Sequence, residues 1–194
     1  FTLSGTTASV SEAGSTDTFT VVLDSEPTGN VVFGISSADT GEATVSTAAL
    51  TFTTSNWDTP QTITVTGIDD TATDGNQTTT VTVTVTDSST ADSAYDALSD
   101  RTVAVTTADD DSPGFTAAAS GGSTTVSEAG STDTFTVVLN AQPTSDVVFD
   151  VSSGDTGEAT VSVAALTFTT SNWDTAQTVT VTGVDDTIND GDQS

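Results

Sequence analysis

The stretch TTTVTVTVT, residues Thr78–Thr86, places valine and threonine at alternating positions. Successive side chains of a β-strand point to opposite faces, so this alternation predicts a strand with one apolar face and one wet face. Threonine suits the wet face because its β-branched side chain fits a pleated sheet. An ice-binding surface is another interpretation of such threonine rows, but an ordinary solvated strand face is the simpler one.

The same alternation predicts about six further short strands. They lie around Ala8–Val10, Phe19–Leu23, Val31–Ile35, Leu50–Phe52, Ile63–Val65 and Val103–Val105. Turn residues such as Asp74-Gly75 separate them, and no stretch shows a helical period. About seven short strands predict an all-β fold, an antiparallel immunoglobulin-like Greek-key sandwich, with a β-barrel as the alternative.

The chain contains an internal repeat. VSEAGSTDTFTVVL at Val10–Leu23 returns at Val126–Leu139, and LTFTTSNWDT at Leu50–Thr59 returns at Leu166–Thr175. The repeat predicts a first sandwich in residues 1–111, a short linker in 112–114, and a second copy in 115–194 that is truncated before its last two strands. Either the chain is a fragment of a longer array, or a strand from a neighbouring subunit completes the second copy.

The composition narrows the classes of function. Asp and Glu number 28 against a single basic residue, Arg101, which gives a net charge of −27. This charge opposes binding to nucleic acid or anionic membrane, and no apolar run is long enough for direct membrane insertion. Phe1 reads as the start of an excised piece, so the missing signal peptide says little about secretion.

The side chains that most enzymes use are also missing. The chain has no histidine or cysteine, and its one basic residue is an arginine, so most nucleophile and acid–base pairs are excluded. Paired carboxylates could serve a glycosidase, but only Trp57 and Tyr95 could supply an aromatic platform in the first copy. We therefore expect a protein that is not an enzyme.

Acidic residues gather at the ends of the predicted strands. In the first copy these are Glu12, Glu42, Asp69, Asp70, Asp74, Asp109, Asp110 and Asp111. Isolated acids such as Asp17, Asp92 and Asp96 are explained as turn formers and solubilising charge. The Asp-Asp and Asp-Asp-Asp runs exceed what a turn needs and would repel one another, so they predict a cation site. Ca²⁺ fits best, because it prefers several carboxylate and carbonyl oxygens.

The order of motifs resembles the Calx-beta repeat of sodium–calcium exchangers and bacterial surface proteins. The matching pieces are VSEAG at Val10–Gly14, then FTVVL, ALTFT, ITVTGIDD, the motif Asp74–Gln77 and the closing TVAVTTADDD, and they cover nearly all of residues 7–111. The segment LTFTTSNWDTPQTITVTGIDD is most similar to bacterial adhesin repeats.

The resemblance implies a sandwich that binds Ca²⁺ at one pole. In the first copy the implied ligands are Glu12, Glu42, Asp69, Asp70, Asp74, Asp109, Asp110 and Asp111. In the second copy they are Glu128, Glu158, Asp185, Asp186 and Asp190, without the closing aspartates. The chain departs from the family at Glu42, where the family has Asp, and at Asp74 and Gln77, where it has Glu.

The sequence therefore predicts a non-enzymatic tandem structural repeat of a secreted bacterial surface protein, such as an adhesin, an S-layer component or an extracellular filament. Calcium at the repeat junction would make the array rigid, with neighbouring repeats or subunits as partners. The alternative is an adhesive module that recognises a glycan or another cell-surface target through the loop Asp87–Arg101, which holds the only tyrosine and the only arginine.

Overall fold

The computed structural model describes residues 1–185, 187 and 191. The chain forms two compact units, Phe1–Asp70 with Asp74–Asp110, and Thr71–Thr73 with Asp111–Ser194. Among the described residues, no helix has the length and apolar character that a membrane span requires.

The first unit consists of nine β-strands. They are β1 (Thr2–Leu3), β2 (Thr7–Ser11), β3 (Thr16–Val22), β4 (Val31–Ser37), β5 (Ala43–Val45), β6 (Ala49–Phe52), β7 (Gln61–Gly67), β8 (Gln77–Val85) and β9 (Arg101–Ala108). The sequence predicted seven of these regions. It missed β1 and β5, because two or three residues are too few for alternation to show.

The strands of the first unit form a sandwich of two sheets. One sheet has the order β1-β3-β7-β5, and the other has the order β2-β9-β8-β4-β6. All pairs are antiparallel except β2 with β9, which is parallel. The immunoglobulin-like sandwich predicted from the sequence is confirmed.

The alternating apolar residues of both sheets fill the space between them. Val81 and Val83 of β8 are fully buried, as are Phe33 of the same sheet and Ile63 of the opposite sheet, while the threonines that alternate with these valines point outward. Trp57 packs against the edge of this core. The alternation of valine and threonine therefore places the valine side chains in the core and the threonine side chains toward water, as predicted.

The second unit has six strands among its described residues. They are β10 (Phe115–Ala119), β11 (Thr132–Leu139), β12 (Val147–Asp150), β13 (Ala159–Val161), β14 (Ala165–Phe168) and β15 (Gln177–Gly183). Strands β10-β11-β15-β13 form one sheet, and β12-β14 form a two-stranded sheet. The first sheet matches β1-β3-β7-β5, whereas the second contains the counterparts of only β4 and β6.

The long loop between β8 and β9 is held onto the first unit. The Tyr95 hydroxyl donates a hydrogen bond to the Ser25 carbonyl at 2.7 Å, and the Asp92 carboxylate accepts one from the Thr28 amide at 2.7 Å. Tyr95 is buried with the core, and the guanidinium of Arg101 lies 5.0 Å from the centre of the Phe1 ring. The tyrosine and arginine that suggested a binding loop are therefore engaged within the fold.

Candidate metal site

Five chain segments meet at one end of the first sandwich. β2, β7 and β9 all end there, while β5 and β8 both begin there. The ends are linked by hydrogen bonds from the Glu12 amide to the Ala108 carbonyl at 3.0 Å and from the Ile68 amide to the Glu42 carbonyl at 3.0 Å. We call the acidic residues at this end the acidic pole: Glu12, Glu42, Asp70, Asp74, Asp109 and Asp110.

Gly67 allows two of these segments to approach closely. A side chain at Gly67, the last residue of β7, would collide with the carbonyl oxygen of Ser11 at the end of β2. The Gly67 amide also donates to the Ser15 carbonyl at 3.1 Å. Only glycine permits this contact, which brings the residues after β7 beside the residues after β2.

Glu12 is the most buried acidic residue of the pole. Its side chain is 1% exposed, and its Oε2 atom accepts a hydrogen bond from the Asp110 amide at 3.4 Å. Burial raises the pKa of Glu12 from 4.5 to about 7, and the charges of Asp70, Asp109 and Glu42 add to the rise against the effect of that hydrogen bond. A cation here would take the place of the proton that the buried carboxyl group otherwise favours.

Glu42, Asp70 and Asp74 form a close group of carboxylates. One carboxylate oxygen from each lies within 4.8 Å of the others. The Oε2 atom of Glu42 is buried and has no hydrogen-bond partner. Burial raises the pKa of Glu42, and Asp74 and Asp70 are the strongest of the acidic neighbours that raise it further. Two like charges about 4 Å apart repel by roughly 4 kcal/mol at an effective dielectric constant of 20.

Asp109 ties the end of β9 to the turn before β8. Its Oδ2 atom accepts a hydrogen bond from the Gly75 amide at 2.7 Å, and its own amide donates to Oδ1 of Asn76 at 3.2 Å. Gly75 has a φ of +75°, which favours glycine in this turn. The side-chain amide of Gln77 donates to the Asp74 carbonyl at 3.1 Å.

Two residues that support the pole were not identified from the sequence. The side-chain oxygen of Asn76 accepts a hydrogen bond from the Asp109 amide. Thr107 is fully buried, and its hydroxyl donates a hydrogen bond to the Glu42 carbonyl at 3.2 Å. A polar residue at an inward position of β9 was the only signal for Thr107. Asn76 lies inside the predicted Asp74–Gln77 motif but carries no charge, so the search for carboxylates passed over it.

The basic residue of the chain, Arg101, does not neutralise the charges of the acidic pole. Arg101 begins β9, whereas Asp109 and Asp110 follow the end of the same strand. Eight strand residues at about 3.3 Å each separate the two ends. Water and dissolved cations, rather than a basic side chain, therefore screen the repulsion between the carboxylates of the pole.

Two predicted ligands of the first copy are not members of the group formed by Glu42, Asp70 and Asp74. Asp69 is exposed and is not one of the three closely grouped carboxylates. Asp111 is half-buried and belongs to the second compact unit. A role for either residue in metal binding stays a prediction.

The second unit positions its acidic residues differently. Glu128, the counterpart of Glu12, is exposed, as is Asp185, while Glu158 is half-buried. The Glu158 carbonyl accepts the Val184 amide at 2.8 Å, as Glu42 accepts Ile68. The predicted ligands Asp186 and Asp190 lie outside the described residues. Among the described residues of this unit, no three acidic groups come within 4.8 Å of one another.

The exposure of Glu128 has a structural reason. In the first unit, β2 pairs with β9, and the residues after β9 cover Glu12. The described part of the second unit contains no counterpart of β9. The described part of the second unit therefore contains the sequence motif around Glu128 but lacks the segment that, in the first unit, buries Glu12.

No family model matches this chain, and no curated protein matches it significantly. Solved structures with a similar fold include the YadV chaperone, at 12% identity over 97% of this chain and 88% of that chain with a TM-score of 0.42. Another is SSP-19 of Caenorhabditis elegans, an MSP-domain protein like family member, at 16% identity over 56% and 98% with a TM-score of 0.39.

A Calx-beta structure, CBD12 from CALX1.2, is also similar. It shares 12% identity over 94% of this chain and 73% of that chain, with a TM-score of 0.38. At these TM-scores the similarities carry no argument about function, which must come from the residues themselves.

Proposed function

We propose that this chain is a non-enzymatic structural repeat whose first unit binds Ca²⁺ at the acidic pole. The observation that carries the proposal is the group formed by Glu42, Asp70 and Asp74, whose carboxylate oxygens lie within 4.8 Å of one another. The buried Glu42 Oε2 atom without a hydrogen-bond partner supports it independently. A cation would satisfy that oxygen and remove the repulsion at once.

The donor set favours calcium over other metals. Ca²⁺ takes 6–8 oxygen ligands from carboxylates, carbonyls and water in flexible geometry. Zinc and copper sites in proteins usually use histidine or cysteine, and this chain has neither. Glu12, Asp109 and Asp110 would supply further negative charge around an ion held by the three grouped carboxylates.

A structural role is proposed rather than a catalytic one because the reactive side chains are lacking or engaged. The chain has no histidine or cysteine for a nucleophile–base pair. Trp57 and Tyr95, the aromatic residues considered for a sugar platform, pack against the first core. Hydrolysis of a glycan by the acidic pole would therefore lack a binding surface beside it.

The proposed setting is the outside of a bacterial cell, in an adhesin, an S-layer component or an extracellular filament. Extracellular calcium modules bind with dissociation constants of about 10⁻⁴–10⁻³ M, which suits exposed carboxylates such as Asp70 and Asp74. Asp109 and Asp110 are followed by Asp111 and then by the linker Ser112–Gly114. Calcium bound at the acidic pole would fix the start of this linker and make an array of repeats more rigid.

Small-angle scattering and thermal unfolding, each in excess calcium and in chelator, test this proposal. We expect calcium to raise the melting temperature, because the ion binds only the folded form, and to narrow the distribution of distances in the scattering data. An unchanged melting temperature would contradict calcium binding. A raised melting temperature with unchanged scattering would contradict only the stiffening of the junction.

A further inference from the structure

One peptide bond of the acidic pole joins an aspartate to a glycine in an exposed turn. The pair Asp-Gly occurs twice in the sequence, at residues 74–75 and 190–191, and only the first pair lies wholly within the described residues. Asp74 and Gly75 are both exposed and belong to no strand. Every other aspartate of the first unit precedes a residue that has a Cβ atom. Asp74 is therefore the aspartate of this unit whose neighbouring peptide nitrogen is least hindered.

The turn itself requires the glycine. Gly75 has a φ of +75°, a conformation that residues with a side chain rarely adopt. A Cβ atom placed there would meet no other atom within 4 Å, so no neighbouring group crowds this residue on that side. The conformation that selects glycine thus also removes the side chain that would hinder a reaction at its nitrogen.

An aspartate that precedes glycine reacts with its own backbone. The nitrogen of the glycine attacks the side-chain carboxyl carbon, a C–N bond forms, and water leaves, which closes a succinimide ring. Water then opens the ring, and attack at the backbone carbonyl leaves isoaspartate, in which the chain continues through the former side chain. One water is lost and one is regained, so the mass is unchanged. The reacting atoms belong to adjacent residues, and this proximity favours ring closure.

Asp109 engages the nitrogen that would attack. The Gly75 amide donates a hydrogen bond to Oδ2 of Asp109 at 2.7 Å. The reactive form of the amide has lost its proton, and a nearby carboxylate disfavours that form through its negative charge and through its bond to the N–H group. On the other side of the peptide bond, the side-chain amide of Gln77 donates to the Asp74 carbonyl at 3.1 Å. The fold therefore restrains both residues of the pair.

We propose that Asp74–Gly75 is a modification site that isomerises spontaneously to isoaspartate, at a rate set by the contact between Asp109 and the Gly75 amide. The reaction is slow while the end of β9 holds the turn, and it approaches the rate of an unfolded chain when this contact opens. Asp109 acts as a positioning residue here. The reaction needs no metal ion, so the inference does not rest on calcium binding.

Isomerisation would change the acidic pole permanently. Carboxylate oxygens of Glu42, Asp70 and Asp74 lie within 4.8 Å of one another. Isoaspartate lengthens the backbone by one carbon and carries its free carboxylate directly on Cα, so the third carboxylate is displaced from this group. The pair Asp74–Gly75 would therefore act as an age-dependent switch that removes one member of the group.

Peptide mapping of the full chain, aged for several weeks in chelator at physiological pH and temperature, tests the site. After cleavage at aromatic residues, electron-transfer fragmentation distinguishes isoaspartate from aspartate. We expect isoaspartate at Asp74 and not at Asp58 or Asp87, which are exposed but precede threonine and serine. Asp74→Glu should stay unmodified, because it keeps the charge but would have to close a larger ring. No isoaspartate at Asp74, in conditions where the free peptide Thr71–Thr80 isomerises, would overturn the proposal.

Variants of Asp109 test the restraint. Asp109→Ala removes the acceptor of the Gly75 amide, and we expect isomerisation to become about fivefold faster, moving toward the rate of the free peptide. Asn76→Ala is the matched control, because it removes the acceptor of the Asp109 amide but leaves the Asp109 carboxylate, and it should accelerate the reaction less.

Asp109→Asn guards against an effect of unfolding. Its side-chain oxygen can still accept the Gly75 amide while the negative charge is gone, so we expect a smaller acceleration in a chain whose thermal unfolding shows that it stays folded. Unchanged isomerisation in both Asp109 variants, or equal acceleration by Asn76→Ala and Asp109→Ala, would overturn the role of the Asp109 contact.

Discussion

The backbone amide of Asp110 donates a hydrogen bond to the Glu12 carboxylate at 3.4 Å, across 98 residues of sequence. This contact joins the second residue after β9 to the first residue after β2, and it closes the first sandwich at the acidic pole. Glu12 is buried there among like charges, with its pKa raised to about 7. The fold thus keeps a carboxylate in a place that suits a proton or a metal ion better than water.

Replacing Glu12 with glutamine should change stability in opposite directions with and without calcium. In chelator at pH 8, Glu12→Gln should raise the melting temperature of the first unit by a few degrees, because a buried charge becomes neutral. In calcium, the variant should gain much less stability than the parent protein. Trp57 fluorescence in a Trp173→Phe background follows the first unit alone.

Asp58→Asn is the matched control for this change. Asp58 is exposed and precedes β7, whereas the acidic pole follows the other end of that strand. The control removes one negative charge from the chain and should leave both melting temperatures nearly unchanged. If Glu12→Gln instead lowered the melting temperature in chelator, the account of Glu12 as a destabilising buried charge would be wrong.

The stability of the first unit in chelator should fall as the pH rises from about 4.5 to about 7. The pKa of Glu12 is raised by burial, and that of Glu42 is raised in the same direction, so the folded form holds these protons more tightly than the unfolded form. The contribution of Glu12 is complete below pH 4.5 and is lost as the pH rises to about 7, and the contribution of Glu42 is lost in the same direction above pH 4.5. Unfolding by denaturant at a series of pH values measures this slope.

Three carboxylates with lowered pKa values act outside that pH range. The pKa values of Asp17, Asp92 and Asp133 are lowered from 3.8, mainly by hydrogen bonds from backbone amides. Their contribution to stability is present above that value and is lost only on further acidification. Excess calcium should flatten the slope between pH 4.5 and 7, and a slope that survives calcium would argue against an ion at Glu12 and Glu42.

Gly67→Ala should damage both the stability of the first unit and calcium binding. The added methyl group would collide with the Ser11 carbonyl, and overpacking of this kind costs about 1–3 kcal/mol. The shift would separate the residues after β7 from those after β2. Gly5→Ala is the control, because its new methyl group would meet only the Thr7 carbonyl oxygen, at 3.8 Å. Equal effects of the two variants on calcium affinity would contradict this role of Gly67.

Tyr95→Phe should loosen the loop between β8 and β9 without affecting the acidic pole. The tyrosine hydroxyl donates to the Ser25 carbonyl at 2.7 Å, and losing a hydrogen bond of this kind costs about 1 kcal/mol. Chemical denaturation measures the loss, with Ser88→Ala, an exposed hydroxyl in the same loop, as the control. Hydrogen exchange should become faster near Asp92, and unchanged exchange there would show that Tyr95 does not hold the loop.

The alternation of apolar and polar residues was enough to predict the sandwich. It located β8 and β9 directly, because each has buried valines at every second position. Strands β1 and β5 were missed since their pairing depends on neighbours such as β3 and β7, which a two- or three-residue pattern does not reveal. The repeated sequence predicted a second copy truncated before its last two strands, but it did not show that Ser123–Ser127, the counterpart of β2, would form no strand.

The candidate site was predictable as a set of charges but not as a geometry. Adjacent aspartates after β7 and β9 suggested a cation, and the parallel pairing of β2 with β9 brings Glu12 to the same end. Nothing in the sequence indicated that Asp70 would join Glu42 and Asp74 while Asp69 is exposed and lies outside that group. The side chain that faces the pole depends on the turn after Gly67, where strand alternation no longer applies.

Isothermal titration with calcium, comparing the parent chain with Asp70→Asn and Asp58→Asn, is the sharpest test of a calcium site at the acidic pole. Asp70 lies in the tight carboxylate group and raises the pKa of both Glu12 and Glu42, whereas Asp58 is exposed and distant along β7. We predict saturable binding to the parent chain and to Asp58→Asn, with affinity reduced roughly 10–100-fold in Asp70→Asn. Equal affinities in all three proteins, or no saturable binding to the parent chain, would contradict a calcium site at the acidic pole.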